Sequence, residues 1–168
     1  MTLDSEILIG IATLGLTLTG FSGLVAVLGR RGSGQWRHPE RVQFVELLVI
    51  SLTVMFGALV PLLMAFALSG DLAHQLSLGV IVAAHIGCLA HGLLSVAKSP
   101  GARREYAPGV VAGLMSGGAI VIVLSIASAV GVMGYQELLI LLNLVWLLFV
   151  AVVNFVQLLI SGGYGDEA

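Results

Sequence analysis

Charged residues are what this chain has least of. Only 10% of its 168 residues are charged, against roughly 25% in an average soluble domain. Hydrophobic residues make up 58%, and the mean hydropathy is +1.09. So few charges cannot give so much apolar material a water-exposed surface, which excludes a soluble globular domain. We therefore predict an all-α integral membrane protein, with residues 1–168 forming a single membrane domain.

Cysteine is nearly absent as well. Cys88 is the one cysteine of the chain, so an intrachain disulfide is excluded. Positive charge is missing from the N-terminus, where Asp4 and Glu6 stand instead, and a secretory signal peptide would carry basic residues there. We expect the first apolar run to be retained as a membrane span.

Long apolar runs are what the chain has in abundance. A helix that crosses a bilayer needs about 20 predominantly apolar residues. Five runs meet this requirement, and together they account for most of the chain. We predict a polytopic bundle of five transmembrane helices at about 5–29, 42–69, 76–97, 109–134 and 137–160.

The basic residues lie in two of the four links between these runs. Short links rich in Lys and Arg stay on the cytoplasmic side of a membrane. The other two links and both tails contain no Lys or Arg, so we expect the N-terminus outside, the C-terminus in the cytoplasm, and a bacterial inner membrane. The seven basic residues are Arg30, Arg31, Arg37, Arg41, Lys98, Arg103 and Arg104.

Small residues recur at helical spacing in the first and fourth runs. Because lipid provides no hydrophobic drive for helix association, spans usually join where small residues let their backbones approach. We interpret these stripes as packing faces, with a pore lining as the alternative. Their members are Gly15, Thr19 and Ser22 in the first run and Gly109, Gly113 and Gly117 in the fourth.

Polar residues in the second and fifth runs are candidates for function. At 100° per residue, Asn143, Asn154 and Gln157 fall on one face of the fifth helix. This stripe indicates either hydrogen bonds between helices or a solvated path. Glu46 lies five residues beyond Arg41 and either pairs with that arginine near the headgroups or faces inward as a functional carboxylate.

Two histidines lie within the third run. His85 and His91 are six residues apart, or 240° around a helix, so they cannot converge on one metal ion or haem iron. Each is either a neutral imidazole hydrogen-bonded between helices or part of a functional site. We hypothesise a polar cavity that opens to the cytoplasm, in which Glu46 and His91 exchange a proton, with His85 and Asn143 continuing the polar cluster outward.

The sequence favours a transport role over an enzymatic one. It contains no recognisable ion filter and no nucleophile beside a base, and we predict no catalytic residues, cofactor, metal site or nucleic-acid partner. We expect an oligomeric channel or a small-solute or ion transporter, which could be proton-linked, with a second copy of the chain as its partner in the bilayer. The alternative is an accessory or scaffold subunit of a larger membrane complex.

Overall fold

Five α-helices form the protein in a computed structural model that describes residues 4–33, 38–68, 70–98 and 108–163. These residues contain no β-strand, and each helix includes a stretch long and apolar enough to cross a membrane, as predicted. Residues 34–37 and 99–107, which include Arg37, Arg103 and Arg104 of the basic links, lie outside the described residues. The arrangement of the helices does not say which end of the bundle is cytoplasmic, so the orientation remains a prediction. The helices are α1 (Ser5–Ser33), α2 (His38–Ala67), α3 (Gly70–Lys98), α4 (Pro108–Ala129) and α5 (Gln136–Gly163).

The helix ends follow local backbone chemistry and differ from the hydropathy limits. At the start of α1, Asp4 Oδ1 accepts a hydrogen bond from the Glu6 amide at 2.9 Å, which caps the helix. Helix α4 ends at Ala129, whereas the apolar run predicted 134. Gly131 adopts a φ of 82° there, and the Val132 amide donates to the Ala127 carbonyl at 3.0 Å. This glycine-dependent pattern satisfies the last carbonyls and ends the helix.

Helix α5 is the central element of the bundle. It packs against each of the other four helices, while α2 packs against α1, α3 and α5. The side chains of Ile140, Leu144 and Ala151 on α5 are completely buried, as are Leu47 and Val54 on α2. Because α5 carries apolar residues on most of its circumference, it can have neighbours on several sides.

The contact between α1 and α2 depends on one glycine. A Cβ atom on Gly15 would lie 2.9 Å from both the Met55 backbone nitrogen and the Ser51 carbonyl oxygen. The two helix backbones therefore approach too closely for any side chain larger than hydrogen. The hydroxyls of Thr19 and Ser22, from the same predicted packing face, donate to carbonyls of α1 itself.

The outer surface of the bundle is apolar. Large hydrophobic side chains such as Phe56, Leu63 and Ile120 are exposed, and Phe66 is 92% exposed. A soluble protein rarely leaves so large a continuous apolar area in water. The bundle therefore has the polarity expected of a surface that faces acyl chains.

Candidate functional site

A cavity of about 80 Å³ lies among α2, α3, α4 and α5. It occupies the half of the bundle nearer the basic links, since Glu46 is five residues from Arg41 and His91 is seven residues from Lys98. Its walls are mainly aliphatic. The lining residues are Glu46, Val49 and Ile50 from α2; His85, Cys88, Leu89, His91 and Gly92 from α3; Val111, Leu114 and Met115 from α4; and Trp146, Leu147, Val150 and Asn154 from α5.

The cavity brings together four of the six polar residues that the sequence singles out. Glu46, His85, His91 and Asn154 all line it, and Glu46, His85 and Asn154 are buried. His91 is exposed and also lines a neighbouring surface groove. Gln157 is not among the lining residues, although its side-chain oxygen is buried without a hydrogen-bond partner among the described residues.

The sixth residue, Asn143, reaches the cavity through His85. The two side chains are hydrogen-bonded, with 2.8 Å between His85 Nδ1 and Asn143 Oδ1. Asn143 Nδ2 donates to Ser125 Oγ and to the Leu139 carbonyl oxygen, each at 2.7 Å. We call His85, Asn143 and Ser125 the polar brace, because these completely or nearly buried side chains connect α3, α5 and α4.

The brace determines which nitrogen of His85 carries its hydrogen. The Leu139 carbonyl can only accept, so the amide nitrogen of Asn143 must face it, and Asn143 Oδ1 must face His85. That oxygen also only accepts, so His85 Nδ1 must donate. In the neutral imidazole, Nε2 is then left with a lone pair.

Gly118 leaves room beside this lone pair. A Cβ atom on Gly118 would lie 3.2 Å from His85 Nε2 and 3.2 Å from Trp146 Nε1. The adjacent Gly117 accommodates the indole ring itself, because a Cβ there would lie 2.2 Å from Trp146 Cη2. The two glycines of α4 thus allow the histidine and the tryptophan to lie close against that helix.

Glu46 is the buried acid of the cavity. Its side chain is 8% exposed, and its Oε1 atom has no hydrogen-bond partner in the described part of the chain. The Ser95 side chain of α3 hydrogen-bonds to the carboxyl group. No ion pair joins Glu46 to Arg41 in the described ranges, so the proposed pairing near the headgroups is not formed. The carboxyl group belongs to the cavity instead.

Cys88, which lies between His85 and His91 in the sequence, lines the cavity. Its thiol donates to Thr53 Oγ1 at 3.5 Å, and Thr53 in turn donates to the Val49 carbonyl at 2.8 Å. Since Cys88 is the one cysteine of the chain, it is a unique chemical label for this wall. The described residues contain no group of three or more His, Cys, Asp or Glu side chains placed to hold a metal ion.

The three glycines of the predicted small-residue face of α4 have different surroundings. Gly117 packs against Trp146, whereas Cβ atoms on Gly109 and Gly113 would meet nothing within 4 Å. Two members of the site, Trp146 and Ser125, are absent from the sequence-based prediction. Trp146 could have been found, since it follows Asn143 by three residues and lies on the same face of α5. Nothing in the local sequence distinguishes Ser125 from the other serines.

Comparison of the chain with protein-family models, curated proteins and solved structures gives no match. The function is therefore argued from the cavity, its polar groups and its place in the bundle.

Proposed function

We propose that this chain is a proton-linked carrier of a small solute, with the cavity as its binding site and Glu46 as its proton-binding group. The observation that carries the proposal is a carboxyl group that is 8% exposed and lines a cavity among apolar helices, with one oxygen that has no hydrogen-bond partner among the described residues. An ionisable group inside a membrane bundle is costly and usually marks a path for ions, protons or substrate.

A carrier is favoured over an open channel by what surrounds the cavity. The polar brace ties α3, α4 and α5 together beside it. The core between these helices and α2 is filled by completely or almost completely buried aliphatic side chains, including Leu78, Ile81, Ile140 and Leu144. A solute could leave toward the opposite side only if these helices moved relative to each other, which is the behaviour of alternating access.

The proposed orientation follows from the basic links. We place them in the cytoplasm of a bacterial inner membrane, with the N-terminus outside, so that the cavity lies in the cytoplasmic half. The proposed partner is a second copy of the chain. Support for this assembly comes from the open space over Gly109 and Gly113, where another helix backbone could approach closely.

The transport proposal is tested in vesicles that contain the purified protein and a trapped pH indicator. Solutes of different classes are added outside: a quaternary ammonium, an amide, a carboxylate and a sugar. We expect at least one class to cause proton movement that empty vesicles lack. Glu46→Gln should abolish it, whereas Glu6→Gln, which removes an exposed acid at the start of α1, should not.

The accessory-subunit alternative makes the opposite prediction. If no solute class causes proton movement and the protein purifies from native membranes with a fixed partner, the carrier proposal is wrong. A scaffold role would then be the better account.

A further inference from the structure

We infer that the cavity binds a small organic cation of the ammonium type, a protonated amine with a short alkyl group. The inference rests on the proposed function for this site and specifies the substrate class of the carrier. It is carried by the hydrogen-bonding groups, the charge and the size of the cavity.

Two hydrogen-bond acceptors belong to residues that line the cavity. Glu46 Oε1 is buried and unpartnered in the described residues, and the polar brace leaves His85 Nε2 as an acceptor. An ammonium group has donors and no acceptor, so it complements Glu46 and His85.

Charge points to the same class of ligand. Among the described residues that line the cavity, Glu46 is the one acid, and none is Lys or Arg. Arg41 lines the neighbouring groove and not the cavity. A carboxylate or phosphate ligand would therefore meet a like charge with no Lys or Arg of the described lining to offset it. A buried carboxylate is stabilised by a paired cation.

The size of the cavity favours a ligand of a few heavy atoms. The volume of about 80 Å³ exceeds the roughly 10–15 Å³ that one water molecule requires, and it is far below the roughly 300–1,000 Å³ of sites for drug-sized ligands. The aliphatic walls suit a short alkyl chain rather than a second polar group. Methylammonium and ethylammonium fit these limits.

A cation and a proton would compete for the same carboxyl group, which gives the proton linkage a physical basis. Glu46 is neutralised either by protonation or by the bound ammonium, and the apolar surroundings disfavour the empty, charged state. The other titratable side chains in the described lining are His85, Cys88 and His91, all from α3. The lining residues that come from α4 and α5 have no titratable side chain. Ammonium binding should therefore weaken as the pH falls.

Binding is measured first through the fluorescence of Trp146 in detergent-purified protein. Trp36→Phe removes the other tryptophan. Titration with methylammonium should produce a saturable change, whereas sodium acetate and acetamide at equal concentrations should not. Glu46→Gln should abolish the change, and Glu6→Gln should retain it. An equal response to acetate, or no saturable response to methylammonium, would overturn the inference.

Cys88 gives an independent measurement that needs no engineered cysteine. A cationic methanethiosulfonate reagent should label it faster than an anionic one of similar size, and methylammonium should slow the labelling. In Glu46→Gln the preference for the cationic reagent should disappear. Equal rates in the unaltered protein would count against the inference, and thermal unfolding of Glu46→Gln shows whether that variant is folded.

The two proposals fail in different ways. Methylammonium binding without proton movement in vesicles would overturn the carrier function and leave the ligand class standing. Proton movement driven by another solute class, without methylammonium binding, would overturn the ligand class alone.

Discussion

The polar brace makes a quantitative prediction about stability. Asn143→Leu keeps the side-chain volume and removes the bonds from Asn143 to His85 and Ser125, which join separate helices. Side-chain hydrogen bonds between membrane helices contribute about 0.6 kcal/mol each on average and at most about 1.7. We expect Asn143→Leu to lower the free energy of unfolding by about 1 kcal/mol, with an upper limit of about 3 from the same values.

Ser125 accepts a hydrogen bond from Asn143 of α5 and donates one to the Val121 carbonyl within α4. Making Ser125→Ala with and without Asn143→Leu distinguishes the contributions of these two bonds. In the unaltered protein Ser125→Ala removes the bond from Asn143 and should cost about 0.6 kcal/mol. In the Asn143→Leu background that partner is already gone, so the same substitution should cost almost nothing. Ser77→Ala is the matched control, because both serines are completely buried and donate to the carbonyl four residues earlier, but Ser77 makes no hydrogen bond to another helix within the described ranges.

The measurement is reversible unfolding in mixed micelles, followed by circular dichroism as the fraction of denaturing detergent rises. A double-mutant cycle then gives the coupling energy between the two side chains. If Ser125→Ala costs the same in both backgrounds, the brace does not stabilise the bundle and the reasoning fails. If Ser77→Ala lowers the free energy of unfolding as much as Ser125→Ala does, the bond between helices contributes nothing and the reasoning also fails.

Two further predictions concern glycines at close helix contacts. Gly117→Ala should displace the Trp146 indole, shift its fluorescence and destabilise the protein by about 1–3 kcal/mol, whereas Gly79→Ala on α3, where a Cβ would meet nothing within 4 Å, should leave the indole spectrum unchanged. Gly15→Ala should destabilise by a similar amount, because its Cβ would meet the backbone of α2, and Gly10→Ala, with nothing within 4 Å, should be neutral or stabilising by up to about 1 kcal/mol. The free energies of unfolding of the four variants test both predictions. Equal stability of a variant at a close contact and its control variant would contradict the packing argument.

The candidate site was predictable in part. The eleven-residue spacing of Asn143 and Asn154 placed them on one face of α5, and both are buried. The six-residue spacing of His85 and His91 likewise predicted different environments, and His85 is buried whereas His91 is exposed. Ser125 could not be identified as the partner of Asn143 from the sequence, because that contact depends on which helix lies beside α5 and at what height.

The sequence alone determined that the chain forms five long apolar helices. Backbone amides and carbonyls inside a bilayer must be paired within the segment, so apolar run length is enough to define each helix. Tertiary structure decided that Glu46 faces a cavity rather than Arg41, that Gly117 accommodates Trp146 while Gly109 and Gly113 remain open, and that α5 lies at the centre. The physical reason is that α4 and its neighbours are apolar on nearly every side, so hydropathy does not specify their rotation, and close packing and a few hydrogen bonds must do so.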